Sequence, residues 1–270
     1  MSVLVLKLGA TGDVVRTTSL LRRLPQPVTW ITAAGNLSLL PATEFDVRSF
    51  SWDERHKALD GVYDLVINLE DEIDVANFVT ETTHTRLFGA YTDDGQTVRY
   101  TDDASAWFDM SLLSVYGRAR ADELKLQNRR SYQDLIFEGL GYVFNDECYC
   151  LPAATPTDLS GDVAMAPVAG AVWPMKNWAY YSELKDQLEQ RGLVVNVLPT
   201  RPTLLEHLGD IQGHRCLVGG DSLPMHLALG SGVRCVTIFN CTSPWEIFDY
   251  GLMQKIISPR LDDFFYKRGL

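Results

Sequence analysis

The stretch Gly219–Gly251, GGDSLPMHLALGSGVRCVTIFNCTSPWEIFDYG, decides how the chain is read. It opens on the tail of an apolar run, CLVGG, and passes through Asp221 and Ser222 into a segment of small and apolar residues. A second apolar run, VRCVTIFN, follows, and then a polar loop, NCTSPWE. An apolar run, a loop, a helical segment and another apolar run form the pattern of a parallel βαβ unit, whose strands are buried on both faces. Pro224 suits an early helical position, where its missing N–H costs nothing. The free N–H groups of that first turn make an anion site. Asp221 alone reads as a helix cap, and His226 alone as a satisfied core histidine. Their convergence with Ser222, and with Thr242 and Ser243 at the end of the next strand, points to a ligand.

The same alternation runs through the rest of the chain. VLVLKL, VTWIT, DVRSF, YDLVINL and TRLFGAY read as strands, and DVVRTTSLLRRL as a helix with Val14, Leu20, Leu21 and Leu24 near helical spacing. ASAWFDMSLLSVYGRARADEL and SYQDLIFEGLGYV also read as helices. Leu151–Gly161, rich in Pro, Thr and small residues, reads as a linker. Beyond it come strands DVAMAPVAG, LVVNVLP, RCLVGG and VRCVTIFN, with helices from Asn177, Thr203 and Asp221 between them. Two such runs imply two doubly wound α/β domains, residues 1–155 and 156–270. Ligands in these domains sit outside the carboxyl ends of the strands.

Composition narrows the partners. The 270 residues are 46% hydrophobic and 22% charged, ordinary for a soluble globular protein. Lys and Arg number 24 against 35 Asp and Glu, a formal charge of −11. No basic face for a nucleic acid is visible, although one small basic pocket for a nucleotide is compatible with that balance. No apolar run approaches the ~18 residues of a membrane span, and the N-terminus leads straight into a glycine loop. Five cysteines without zinc-ligand spacing read as buried free thiols in a reducing, cytoplasmic compartment.

The first strand ends in KLGATGDVVRTT, where Gly9 and Gly12 permit a tight turn and Asp13 is expected to cap a helix. An ionised carboxylate there is also placed to accept a proton. GATG resembles the phosphate loop of NAD(P)-dependent short-chain epimerases and reductases, and YSELK, Tyr181–Lys185, matches their Tyr-x-x-x-Lys pattern. Against that reading, Val15 stands where a third glycine belongs, and the second strand supplies no carboxylate for a ribose. In VAGAVWPMKNWAYYSEL, Lys176 lies between Trp173 and Trp178 at the end of a strand, with Trp178 expected to start a helix. A cation there can stabilise a diphosphate leaving group. The acidic EDEID, Glu70–Asp74, reads as the solvated start of a helix, and no metal site is expected.

Taken together, three segments resemble glycosyltransferase family 9, the ADP-heptose:lipopolysaccharide heptosyltransferases and their relatives. LKLGATGDVVRTTSLL is similar to the family's LGxxGDVxxTxP opening, MKNW to its Lys-x-Trp element, and Gly219–Gly251 to its D[ST]GxxHLAxxxGxPxVxLFGxTxP signature. The resemblance implies a GT-B fold, two Rossmann-like domains facing a cleft. It implies an inverting transfer of a sugar, heptose from ADP-heptose first among candidates, with no metal or other cofactor. The acceptor would be a surface glycan such as lipopolysaccharide core, or a small molecule or peptide, and peripheral membrane association stays compatible with that. Carried over by position, Asp13 is the general base and Lys176 stabilises the departing diphosphate. Gly9, Thr11, Gly12 and Trp178 line the site. Asp221, Ser222, Leu223, Met225, His226, Thr242 and Ser243 hold the donor. The chain departs from the pattern at Leu223, where the family has Gly, and at Asn240 and Cys241, where it has Gly-Pro. No Gly-x-x-x-Glu element follows VVNVLPT, and Glu206 is the nearest substitute for a ribose ligand. The alternatives are an NAD(P)-dependent epimerase or reductase and a non-catalytic nucleotide-sugar-binding protein.

Overall fold

The computed structural model describes residues 1–41, 43–105, 115–170 and 173–267. The chain folds as two compact units, Met1–Pro152 and Ala153–Leu270.

The first unit is built on strands β1 (Val3–Leu6), β2 (Val28–Thr32), β3 (Val47–Ser51), β4 (Val62–Asn68), β5 (Thr83–Tyr91) and β6 (Arg99–Tyr100), in the order β3-β2-β1-β4-β5-β6. All pairings are parallel except β5 with β6. β1 shows why a continuous apolar run belongs here. Val3 and Val5 enter one core cluster and Leu4 and Leu6 the other, so each face of the sheet is covered. The covering helices include α1 (Thr11–Thr17), continued by a 3-10 turn at Thr18–Arg22, and α2 (Ile73–Glu81) and α4 (Tyr132–Gly139), while α3 spans Arg118–Gln127. α4 begins with a reciprocal cap between Ser131 and Asp134. The helix expected over Ala104–Leu124 falls partly on residues 106–114, which lie outside the described residues.

Asp13 is not the cap of α1. The helix starts at Thr11 with Ala10 as N-cap, which places Asp13 at the third helical position. Its side chain pairs with Arg16 one turn on.

The second unit has strands β7 (Gly161–Ala166), β8 (Val195–Val197), β9 (His214–Gly220), β10 (Arg234–Phe239) and β11 (Met253–Ile257), all parallel, in the order β11-β10-β9-β7-β8. Its helices are α5 (Tyr181–Gln190), α6 (Leu204–Gln212), α7 (Leu223–Gly230) and the short α8 (Leu261–Phe264). α5 begins at Tyr181, so Trp178 precedes it and does not start it as expected. Its ring instead packs against Tyr180 and Tyr181, at 5.6 and 5.3 Å between centroids.

From Ala153 onward, the expected linker is docked chain. Thr155 N donates to Leu205 O, and the bare faces of Gly209 and Gly213 meet the Thr155 and Leu159 carbonyls. Thr157 Oγ1 donates to Asp210, a fully buried carboxylate that Arg201 also holds through two bonds of 2.6 and 2.7 Å. Burial works to raise the Asp210 pKa, but the bonds from Arg201 and Thr157 outweigh it and hold the group below the usual carboxylate range.

Cys150, Cys235 and Cys241 are buried free thiols, and burial pushes Cys150 and Cys235 up to about 12. Cys148 departs from the expectation and is exposed. No helix among the described residues is long and apolar enough to cross a membrane.

Two stability outcomes follow. Gly89 has φ +111°, and a Cβ there would lie 1.9 Å from Asn68 O. Gly89→Ala is expected to cost about 3 kcal/mol in urea unfolding, from strain and clash together. Arg201→Ala is expected to lower stability in urea unfolding at pH 7, because it leaves the Asp210 charge buried without its cation. A carboxylate with a depressed pKa stabilises above its unfolded value and loses that contribution as pH falls through its folded value. The gap between wild type and Arg201→Ala should therefore close below about pH 4, as the carboxyl protonates in both proteins.

Candidate functional site

In a doubly wound sheet the chain order reverses between two neighbouring strands, and the loops leaving their carboxyl ends part to form a crevice. In the first unit that point lies between β1 and β4, and in the second between β7 and β9. Asp13, Lys176 and Asp221 follow three of these strands, and Thr242 and Ser243 lie on the loop after β10.

The loop after β1 is closed by a group the sequence reading missed. Glu70, two residues beyond β4, accepts from Lys7 Nζ at 2.9 Å, Leu8 N at 2.6 Å and Gly9 N at 3.3 Å. Its side chain is 14% exposed, so the first residue of the EDEID cluster faces inward instead of being solvated. The loop then turns into α1. Asp13 is about one-third exposed, and its Oδ1 lies 2.9 Å from the Nη2 of buried Arg16. The Arg16 guanidinium lies 3.9 Å above the centre of the Tyr132 ring. Thr17 Oγ1 donates to Asp13 O at 2.6 Å, which leaves the Tyr132 hydroxyl to donate to Thr17 across 2.8 Å. Arg16 thus holds the Asp13 carboxylate, and the Thr17 hydroxyl holds its carbonyl. Gly9, Thr11 and Gly12 stand partly exposed beside it.

The second unit repeats the device. Lys176 closes a 3-10 turn at Pro174–Lys176 after β7, and Asp221 follows β9. Lys176 Nζ donates to Asp221 O at 2.5 Å and to Oδ2 at 3.2 Å, with the side chains only 12% and 10% exposed. Gly220 permits this approach, since a Cβ there would meet Lys176 O at 3.3 Å. Thr242, from the loop after β10, donates to the same Asp221 Oδ2 at 2.7 Å. His226 is buried with Nε2 4.0 Å from Asp221 Oδ1, beyond hydrogen-bond reach. In both units, then, a lysine after the first strand pairs with an acid after the strand across the switch point.

The helix that begins here, α7, has Ser222 as N-cap without a side-chain cap bond. Met225 N and His226 N both donate to Ser222 O. Pro224 has no N–H, and the N–H groups of Ser222 and Leu223 donate to nothing among the described residues. The site therefore offers two backbone donors at the positive end of a helix and an ammonium with two of its three donors in use. Such a group of donors is suited to an anion. Asp221 engages Lys176 through its carbonyl and Oδ2 and Thr242 through Oδ2, which orients the cation. Met225 is fully buried and packs in the core, while Leu223 is partly exposed. Ser243 is fully buried, and its Oγ finds no partner among the described residues. Trp178 flanks the lysine turn but packs on the unit's core cluster.

The structure weighs against the dinucleotide alternative at both of its anchors. The Leu8 and Gly9 N–H groups that a pyrophosphate would need already serve Glu70. Tyr181 is buried, its hydroxyl lacks a partner among the described residues, and burial pushes its pKa up to about 12. Lys185 pairs with Glu189 on the same helix. Glu206, the substitute ribose ligand, serves as the reciprocal cap of Thr203 at the start of α6.

No family model and no curated protein sequence matches the chain. Solved structures do. The Escherichia coli heptosyltransferase WaaC with ADP superimposes with a TM-score of 0.65 at 17% identity, over 96% of this chain and 94% of that one. A glycosyl transferase family 9 structure from Veillonella parvula gives 0.66 at 16% identity, over 95% and 86%. The Escherichia coli ADP-heptose lps heptosyltransferase II gives 0.60 at 18%, over 98% and 95%. Identities this low speak for the fold alone, and in fold the chain is similar to the heptosyltransferases of glycosyltransferase family 9 along nearly its whole length.

Proposed function

We propose that the protein is a glycosyltransferase that moves a sugar from a nucleotide diphosphate to an acceptor hydroxyl with inversion, ADP-heptose being the donor of first choice. The observation that carries the reading is the anion site at the β7–β9 switch point, where Lys176 and the open N–H groups of Ser222 and Leu223 converge. Displacement at an anomeric carbon leaves negative charge on a diphosphate. Preorganised donors aimed at that charge are where such a reaction gains most. Structural neighbours named for ADP-heptose, or solved with ADP, support an adenosine diphosphate as the carrier.

In this scheme the second unit binds the donor and the first presents the acceptor. Lys176 and the start of α7 take the diphosphate. Asp221 and Thr242 keep the ammonium in place. Asp13 removes the proton of the attacking hydroxyl, its carboxylate steadied by Arg16. The chain's own residues supply every step, so the scheme draws on no resident metal or other cofactor. An acceptor that is a surface glycan, lipopolysaccharide core among them, and a cytoplasmic location complete the proposal.

Two substitutions test it. Asp13→Asn keeps the shape and removes the base, so transfer from ADP-heptose should fall about 10²–10⁴-fold while ADP affinity by calorimetry stays within twofold. Transfer near the wild-type rate would reduce Asp13 to a helix partner of Arg16. Lys176→Ala removes a charged donor to the diphosphate. ADP binding should weaken about 10- to 100-fold, and the residual affinity should depend less on salt. Unchanged ADP affinity would take Lys176 out of the site.

A further inference from the structure

On the side of the second sheet opposite β8, the chain leaving the carboxyl ends of β10 and β11 frames a pocket of about 260 Å³. Met175, Asn240, Ser258, Arg260 and Phe264 line it. It lies beside the anion site. Met175 is the neighbour of Lys176, and Asn240 Nδ2 donates to Met175 O at 3.1 Å, tying the post-β10 loop to the lysine turn. Asn240 is also two residues from Thr242, which holds Asp221. Ser258 N donates to Phe239 O, which fixes the far wall.

Size and lining identify the occupant. The volume falls just below the ~300–1,000 Å³ of pockets that hold drug-sized ligands, so it suits one ring rather than a nucleoside diphosphate. Met175 and Phe264 give it an apolar surface. Asn240 Oδ1 accepts no hydrogen bond among the described residues, and Ser258 Oγ accepts from Arg260 N at 3.2 Å, so the hydroxyl proton can go to a ligand. Arg260 lies over the Phe264 ring at 4.9 Å and pairs with Asp263 through Nε, which leaves its other N–H groups at the rim. An apolar patch edged by an acceptor, a hydroxyl and N–H donors suits a pyranose, with its C–H face on the patch and its hydroxyls at the edge. Asn240 stands where the resemblance calls for glycine, so one wall of the pocket departs from that pattern.

We propose that this pocket receives the sugar ring of the donor and that Asn240 discriminates among sugars by accepting one of their hydroxyls. The assignment rests on the nucleotide-sugar reading above. Calorimetry with ADP and with ADP-heptose separates the two, on wild type, on Ser258→Leu, which fills the pocket, and on Phe264→Ala, which removes its apolar wall. Both variants should bind ADP within twofold of wild type, which also shows that they fold, and should bind ADP-heptose at least tenfold more weakly. A variant that alters both ligands equally, or neither, overturns the pocket's role while the donor reading stands. Wild-type protein that binds neither ligand removes both.

Discussion

The ion pair between Lys176 and Asp221 is the constraint on which the candidate site depends. Two nearly buried charges are each costly alone and tolerable together, provided further hydrogen bonds complete them. Asp221 receives that completion from Thr242 and through its own carbonyl. The pair therefore locks three loops, those after β7, β9 and β10, into one arrangement. It does so without using up the ammonium, which keeps a donor for an anion. In the sequence Asp221 reads as a cap or as part of a donor site. In the structure it is the counter-charge that lets a lysine stand ready.

The first unit solves the same problem with different residues. Lys7 and Glu70 meet across the β1–β4 switch point, and Glu70 also takes the N–H groups of Leu8 and Gly9. The loop that looks most like a phosphate cradle is thereby filled from within. What it leaves partly exposed is Asp13, a carboxylate steadied by Arg16, and not a row of donors. One unit thus presents a partly exposed carboxylate, and the other a lysine beside open helix N–H groups.

Much of the fold was legible in the chain. The apolar runs that became β1, β2, β4, β9 and β10 carry their own evidence, because a strand buried on both faces must be apolar throughout. The glycine loops marked where strands turn into helices. Boundaries were less legible. α1 starts two residues before Asp13 and α5 starts three after Trp178, because local contacts at Arg16 and among the aromatic rings set the ends rather than the residue most suited to cap. β11 and α8 gave no reading at all: β11 is a half-exposed edge strand with weak patterning, and α8 is only four residues long.

The sequence by itself determined the two α/β units, the strands that carry the site, and the positions of Asp13, Lys176 and Asp221 at strand ends. Period and punctuation are local properties, and they survive without knowledge of partners. Only the tertiary structure decided what those groups face. Glu70 lies 61 residues from Gly9 and Asp221 lies 45 from Lys176, separations across which no pattern reports a contact. Strand order brings them together, and with it comes the choice between a carboxylate that binds and one that holds another residue in place.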